Sequence, residues 1–246
     1  MRTFKDFLRE EAGKHFGVSP EQFKSDLKDG GHPDYDHLHQ GAQEHLTGDV
    51  SHIGKEGKHA ISRWTQNQNV GYKEINAVKR GMNNSLDAMR ITQHLSDAVG
   101  GHQLPQSTYA YRGVHGPHAA ALNKMKPGDT FHNKGFSSTT LDPKRATHFA
   151  RGEDMMSVHV PQGHNALYVS HPKLNSWTQE RELVLQHGTH FRYKGSEHIE
   201  SPEYHYTGEP TGKTRKIKVH HVEVVPYQDK NASQIDEQVA WDALKE

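Results

Sequence analysis

Three short runs of this chain carry side chains able to do chemistry. Tyr109 to Gly113 contains Arg112, Lys134 to Asp142 contains a Ser/Thr run that includes Ser138, and Gln179 to Leu185 contains Glu180 and Glu182. An arginine is always charged, and its planar fork holds a phosphate with two parallel hydrogen bonds. A carboxylate takes a proton or stabilises developing positive charge. Each run alone also has a plainer reading. A strand arginine usually faces solvent. A Ser/Thr run commonly ends a strand or caps a helix, and Thr140 or Asp142 could cap a helix that opens at Pro143. Two glutamates separated by one residue at a strand start are commonly a charged edge.

Composition narrows the setting. The chain has 246 residues, enough for one sizeable domain with extensions or for two small domains. Lys+Arg and Asp+Glu are equal at 30 each, so the basic surplus of a nucleic-acid binder is absent. There is no cysteine, which excludes disulfides, thiolate zinc sites and a cysteine nucleophile. No apolar run reaches the length of a membrane span, and the N-terminus is too charged for a secretory signal. The 22 histidines suggest metal binding only if a ligand set can be drawn, and none can. His220 and His221 fall in a strand-like run and must face opposite ways, while His37 and His39 share a strand face or a loop. No structural metal is expected.

The elements that would position these runs follow from the pattern. Thr3 to Phe16 reads as an amphipathic helix, with Phe4, Phe7 and Leu8 on one face. Gly17 to Gly57 is rich in Gly, His and Asp and sparse in apolar residues, so it reads as a linker with one weak helix. Ala60 to Trp64, Tyr72 to Lys79 and Leu86 to Val99 read as helices, the last with a stripe of Leu86, Met89, Leu95 and Val99 stopped by Gly100-Gly101. Strands follow at Ser107 to Val114, Thr130-Phe131, Gly135 to Thr140, Ser157 to Val160 and Ala166 to Ser170. Glu182 to Gln186 and Thr189 to Tyr193 read as a hairpin around His187-Gly188, and Lys216 to Val225 closes the set. Short helices fit His118 to Met125 and Pro143 to Arg151, and a last one Ser233 to Leu244. Helices first and many short strands afterwards predict an α+β domain. There is no Rossmann glycine pattern and no P-loop.

Taken in order, the three runs resemble the Arg–Ser–Glu class of mono-ADP-ribosyltransferases, which includes clostridial binary toxins and phage and bacterial effectors. The resemblance covers about Ile61 to Pro226. It extends to Tyr72 to Asn76, similar to the family's N-terminal helical element, and to Lys126 to Phe131 and His187 to Phe191, which flank its serine and glutamate strands. The fold it implies is a split β-sandwich with N-terminal helices and NAD, the substrate, in the cleft between two sheets.

The site residues follow from the same resemblance. Glu182 would be the catalytic carboxylate, since cleaving the nicotinamide–ribose bond leaves positive charge at the anomeric carbon, as in glycoside hydrolysis. Ser138 would orient Glu182. Arg112 would hold a phosphate, with Gly113 leaving room for the nicotinamide amide. Phe149 would pack on nicotinamide or simply fill the core, Arg151 would reach a phosphate, and Tyr72 and Asn76 would complete the NAD site. A Glu at position 180 implies an arginine acceptor, because a protonated guanidinium needs a carboxylate to pair with it and take its proton. Trp177 matches the aromatic of the acceptor loop. The triplet Ser138-Thr139-Thr140 departs from Ser-Thr-Ser at its last position but keeps the hydroxyl.

The first ten residues resemble the capsid-targeting propeptides of internal head proteins in T4-like phages, with Leu8-Arg9-Glu10 matching the cleavage pattern after Glu10. This implies a propeptide at 1–10, a linker at 11–57, the transferase domain at 58–228 and a C-terminal helix at 229–246. It also implies a protein held in the virion and then delivered to the host cytoplasm. Its partners would be the prohead scaffold and protease, then arginine-bearing host proteins such as transcription or translation machinery, with no membrane. A helix docked on its own domain is the competing reading of the same segment. An NAD glycohydrolase on the same fold and a non-catalytic internal capsid protein are the alternative functions. Glu180 and Trp177 weigh against the first, and the zero net charge against the second.

Overall fold

A computed structural model describes residues 15–28, 35–47, 49–66, 70–150, 154–175, 179–205 and 209–225. The expected propeptide, Arg151, Trp177 and the C-terminal helix lie outside these residues. The described elements run β1 (His15–Phe16), α1 (Pro20–Lys28), α2 (Asp36–Ala42), a π turn (Gln43–Thr47), α3 (Lys55–Gln66), α4 (Tyr72–Lys79), α5 (Leu86–Gly100), β2 (Ser107–Val114) and α6 (Gly116–Leu122). They continue β3 (Thr130–Asn133), β4 (Ser137–Thr140), α7 (Pro143–Phe149), β5 (Asp154–Val160), β6 (Ala166–Tyr168), β7 (Glu182–Leu185), β8 (Thr189–Tyr204) and β9 (Pro210–Val225). The mixed α+β class expected from the sequence is what forms.

The strands lie in the order β3-β8-β9-β5-β2-β4-β7-β6, with β1 beside β2. One register pair, Tyr111↔Thr140, joins β2 to β4. That thin seam divides the sheet into a six-strand array that includes β1 and the three-strand array β4-β7-β6. Inward residues of both arrays share one core. Ala110, Met156, Val158, Phe191 and Val224 of the first meet Ala166, Tyr168, Leu183 and Leu185 of the second. Strand alternation sends the next residues outward, where helices cover them. Leu167, Val169 and Val184 pack under α3, α4 and α5. Met155, Ile217 and Val219 pack against Phe23, Leu38 and Ala146 from α1, α2 and α7.

Several expectations are corrected here. His15–Phe16 is not the end of a helix but a strand paired in parallel with β2. The described residues between 17 and 57 are packed against the domain rather than forming a linker with one weak helix. Ser19 caps α1 by accepting from Gln22 N at 3.1 Å, Pro20 opens that helix, and Val18, Phe23, Tyr35, Leu38, Ala42 and Leu46 are buried. Their apolar residues are few, but each is placed where it meets a sheet. His37 and His39 lie on α2, not on a strand or loop. The buried face of α5 runs through Ala88, Ile91, Leu95 and Val99, while Leu86 and Met89 are exposed.

The expected hairpin around His187-Gly188 does not form. β7 pairs with β4 and β6, whereas β8 pairs with β3 and β9. Gly188, at φ 75, carries the chain from one array to the other and donates its N–H to Asn133 O at 2.8 Å. β8 also continues far past Tyr193, pairing with β9 as a long arm whose Arg215 donates to Thr147 O on α7.

Candidate active site

The seam between the two arrays opens into a cavity of about 740 Å³. That lies inside the range of small-molecule sites, roughly 300–1,000 Å³. Its walls bring together residues from all three sequence runs: Arg112 and Gly113 from β2, Ser138 from β4, and Glu180 and Glu182 at the start of β7. Tyr72 from α4 and Phe149 from α7 also line it, as do Trp64, His115 and His148.

Glu182 is the most constrained of these. β7 is the middle strand of its array, so Glu182 sits in register with Thr140, and its backbone N–H donates to Ser170 Oγ at 2.8 Å. The residue is 3% exposed. Oε1 accepts two hydrogen bonds, from Ser138 Oγ at 2.5 Å and from Trp64 Nε1 at 2.8 Å. Oε2 is buried without a hydrogen-bond partner among the described residues. Burial, and then the like charge of Glu180, push the Glu182 carboxyl up to about 7, against the pull of its two donors. The group is therefore poised near neutrality, with one oxygen held and one left for something else.

Trp64 was not among the residues singled out for chemistry. A signal existed. Trp64 shares a helical face with Ala60 and Ile61, and a buried indole N–H demands an acceptor. What no local pattern shows is that the acceptor lies 118 residues away. The indole ring is fixed edge-on to Phe136, with centroids 5.6 Å apart, and to Tyr72 at 6.2 Å.

Asn76 takes a place other than the one the resemblance implied, and Gly113 has a packing role beside its place at the cavity. Asn76 does not line the cavity. Its side chain brackets the Phe136 backbone, accepting from Phe136 N at 2.8 Å, so it supports the ring behind Trp64. Gly113 does line it, but the space left by its missing Cβ is filled by α7. A β-carbon there would fall 2.3 Å from Ala150 N and 2.6 Å from Ala146 O. The glycine thus lets α7 approach β2, which brings Phe149 and His148 to the cavity. Asp142 caps α7, accepting from Lys144 N at 3.0 Å, as the sequence allowed. Phe149 is 41% exposed and so is not core packing. Among the described residues, no group of three or more His, Asp or Glu side chains could hold a metal ion.

The site is thus a carboxylate at the seam of a two-array β-sandwich, a second carboxylate just before it and an arginine on the strand beyond β4, all on one cavity. The chain matches the ADP-ribosyltransferase exoenzyme family over residues 43–225 and belongs to that family. The match begins within the N-terminal segment that the sequence reading left outside the domain. No curated protein matches the chain.

Solved structures share the fold at low identity. The Vis ADP-ribosyltransferase of Vibrio splendidus, in complex with agmatine, is similar at 20% identity and a TM-score of 0.56, covering 89% of this chain and 92% of its own. Plx2a, an ADP-ribosyltransferase toxin of Paenibacillus larvae, is similar at 19% and 0.55, over 87% of this chain and 100% of its own. BECa, the ADP-ribosylating toxin of a C. perfringens binary enterotoxin, was solved with NADH and is similar at 18% and 0.52. That likeness covers 70% of this chain, which spans only 44% of the BECa chain.

Proposed function

We propose that this protein cleaves NAD and transfers ADP-ribose to arginine side chains of host proteins, as an Arg–Ser–Glu enzyme. The observation that carries the reading is the split state of the Glu182 carboxylate. Oε1 is held by Ser138 and Trp64, and Oε2 is unpartnered among the described residues, in a cavity that Arg112 and Glu180 also line. An oxygen fixed but unsatisfied suits a ribose hydroxyl, and its charge stabilises the cation that forms as the nicotinamide leaves with the bond's electron pair. Arg112 would hold the diphosphate, joined by Arg151, while Tyr72 and Phe149 would offer rings to the base.

Glu180 would pair with the incoming guanidinium and take the proton that its attacking nitrogen loses. Trp177 would shape the surface on which that acceptor docks. Water, the acceptor in simple NAD hydrolysis, needs neither residue. The test is paired: nicotinamide release and ADP-ribose incorporation into an arginine-bearing substrate. Glu180→Gln is expected to abolish incorporation and spare much of the release. Equal loss of both refutes the division of labour, and incorporation that moves to another residue type makes Glu180 a selector rather than a base.

The virion setting rests on Leu8-Arg9-Glu10 and belongs to the same proposal. Particle-associated protein should begin at Glu11. An intact Met1 end, or no protein in the particle, refutes packaging and leaves the enzyme reading standing.

A further inference from the structure

Arg181, between the two glutamates, is the non-glycine residue in the left-handed region among those described, at φ 50. A side chain disfavours that backbone shape, and glycine adopts it freely. The turn matters for the site. It breaks the extended run just before β7, so that pairing with β4 starts at Glu182 while Glu180 stays at the cavity wall.

The guanidinium shows what an arginine adds there. Nη1 donates to Asp142 Oδ2 at 2.9 Å, and Nη2 pairs with Asp36 on α2. The Asp142 side chain is 3% exposed and that of Arg181 12%, so the pair is shielded from water. The other oxygen of Asp142 caps α7, the helix that brings His148 and Phe149 to the cavity. The Arg181 carbonyl accepts from Leu141 N at 3.1 Å, on the same connection. One buried carboxylate therefore ties the turn between the glutamates to the opposite cavity wall.

From this geometry we infer that Arg181 is a positioning residue that holds Glu180 against the acceptor, an inference that rests on the arginine-transfer reading. Glu182 has side-chain anchors in Ser138 and Trp64 and backbone anchors in Ser170 and the β4 ladder, whereas Glu180 is held to β4 through its carbonyl, which accepts from Thr140 Oγ1 at 2.8 Å. Loss of the Arg181 side chain frees the turn from Asp142 and Asp36 while its backbone bonds to β4 and Leu141 remain, and so displaces the Glu180 side chain more than that of Glu182.

The test uses the full chain with Arg181→Gly, which tolerates the backbone shape but lacks the anchor, Arg181→Lys, which can still reach Asp142, and Arg181→Gln should the glycine variant fail to fold. Transfer to agmatine and nicotinamide release are measured on each. In the glycine variant, transfer should fall about tenfold relative to release, the lower end of what a charge-assisted hydrogen bond contributes, and the lysine variant should recover most of it. The acid limb of nicotinamide release should also move to lower pH, because Glu180 no longer crowds Glu182. That second readout needs no acceptor. An unchanged ratio together with an unmoved acid limb overturns the positioning role. A parent protein that releases nicotinamide but modifies no guanidine refutes the arginine reading instead, and the acid limb still judges Arg181.

Discussion

Trp64→Phe removes a single N–H from the active site and keeps the ring. The phenyl group can still pack edge-on to Phe136 and Tyr72, so folding should survive. What is lost is the 2.8 Å donor to Glu182 Oε1. A hydrogen bond to a charged group contributes about 1.5–3 kcal/mol, and one pH unit corresponds to about 1.4 kcal/mol. Ser138 still donates to the same oxygen, so the lower end applies, roughly one unit. The sign follows from which form the bond favours. A donor stabilises the carboxylate, and its removal raises the carboxyl further above its present value of about 7. At pH 7 the parent is then about half ionised and the variant about one-tenth, which predicts roughly fivefold slower NAD cleavage that recovers near pH 9. Initial rates of nicotinamide release between pH 5 and 9.5 decide it. An acid limb with the same midpoint in both proteins would show that Trp64 does not act on Glu182, and an equal loss at every pH would mean that only packing was damaged.

The other expectations concern single residues. Glu182→Gln should lower both transfer and hydrolysis by about 10²–10³. The same variant should be more stable than the parent in neutral and alkaline solution. Burial raises the folded carboxyl from 4.5 to about 7, so the parent's stability is full below 4.5 and declines as pH rises to 7, by up to about 3 kcal/mol. Urea unfolding at pH 4.5 and pH 8 measures this, and a difference that does not grow with pH contradicts the burial argument. Arg112→Lys keeps the charge but loses the fork, so calorimetry should find markedly weaker NAD binding, and an unchanged Kd would remove Arg112 from that role. Gly113→Ala drives a methyl into the α7 backbone and should cost about 3 kcal/mol or more, or prevent folding, whether or not NAD is present. Near-parental thermal stability would show that α7 can move aside.

The legible parts of this protein are those whose signal is local. Ser138, Glu180, Glu182 and Arg112 stand out because each lies in a short run of definite type and order, and all of them line one cavity. The α+β class was legible because helix and strand periods differ over a few residues. Asp142 as a cap was legible because capping reaches only two or three residues ahead.

What the tertiary structure decided depends on partners distant in the chain. Whether Glu182–Leu185 and Thr189–Tyr204 form a hairpin or cross between arrays is set by which strands have open edges, not by the three residues that join them. The same holds for the face that α5 buries. Periodicity offered Leu86 and Met89, and the sheet beneath accepted Ala88 and Ile91. Trp64 and Arg181 matter here through hydrogen bonds to groups 118 and 39 positions away, and no window along the sequence contains both ends. The ionisation of Glu182 belongs to this second kind as well. The sequence named the carboxylate and its charged neighbour Glu180, but the largest cause of its value near neutrality is burial, which exists only once the two arrays have closed around the seam.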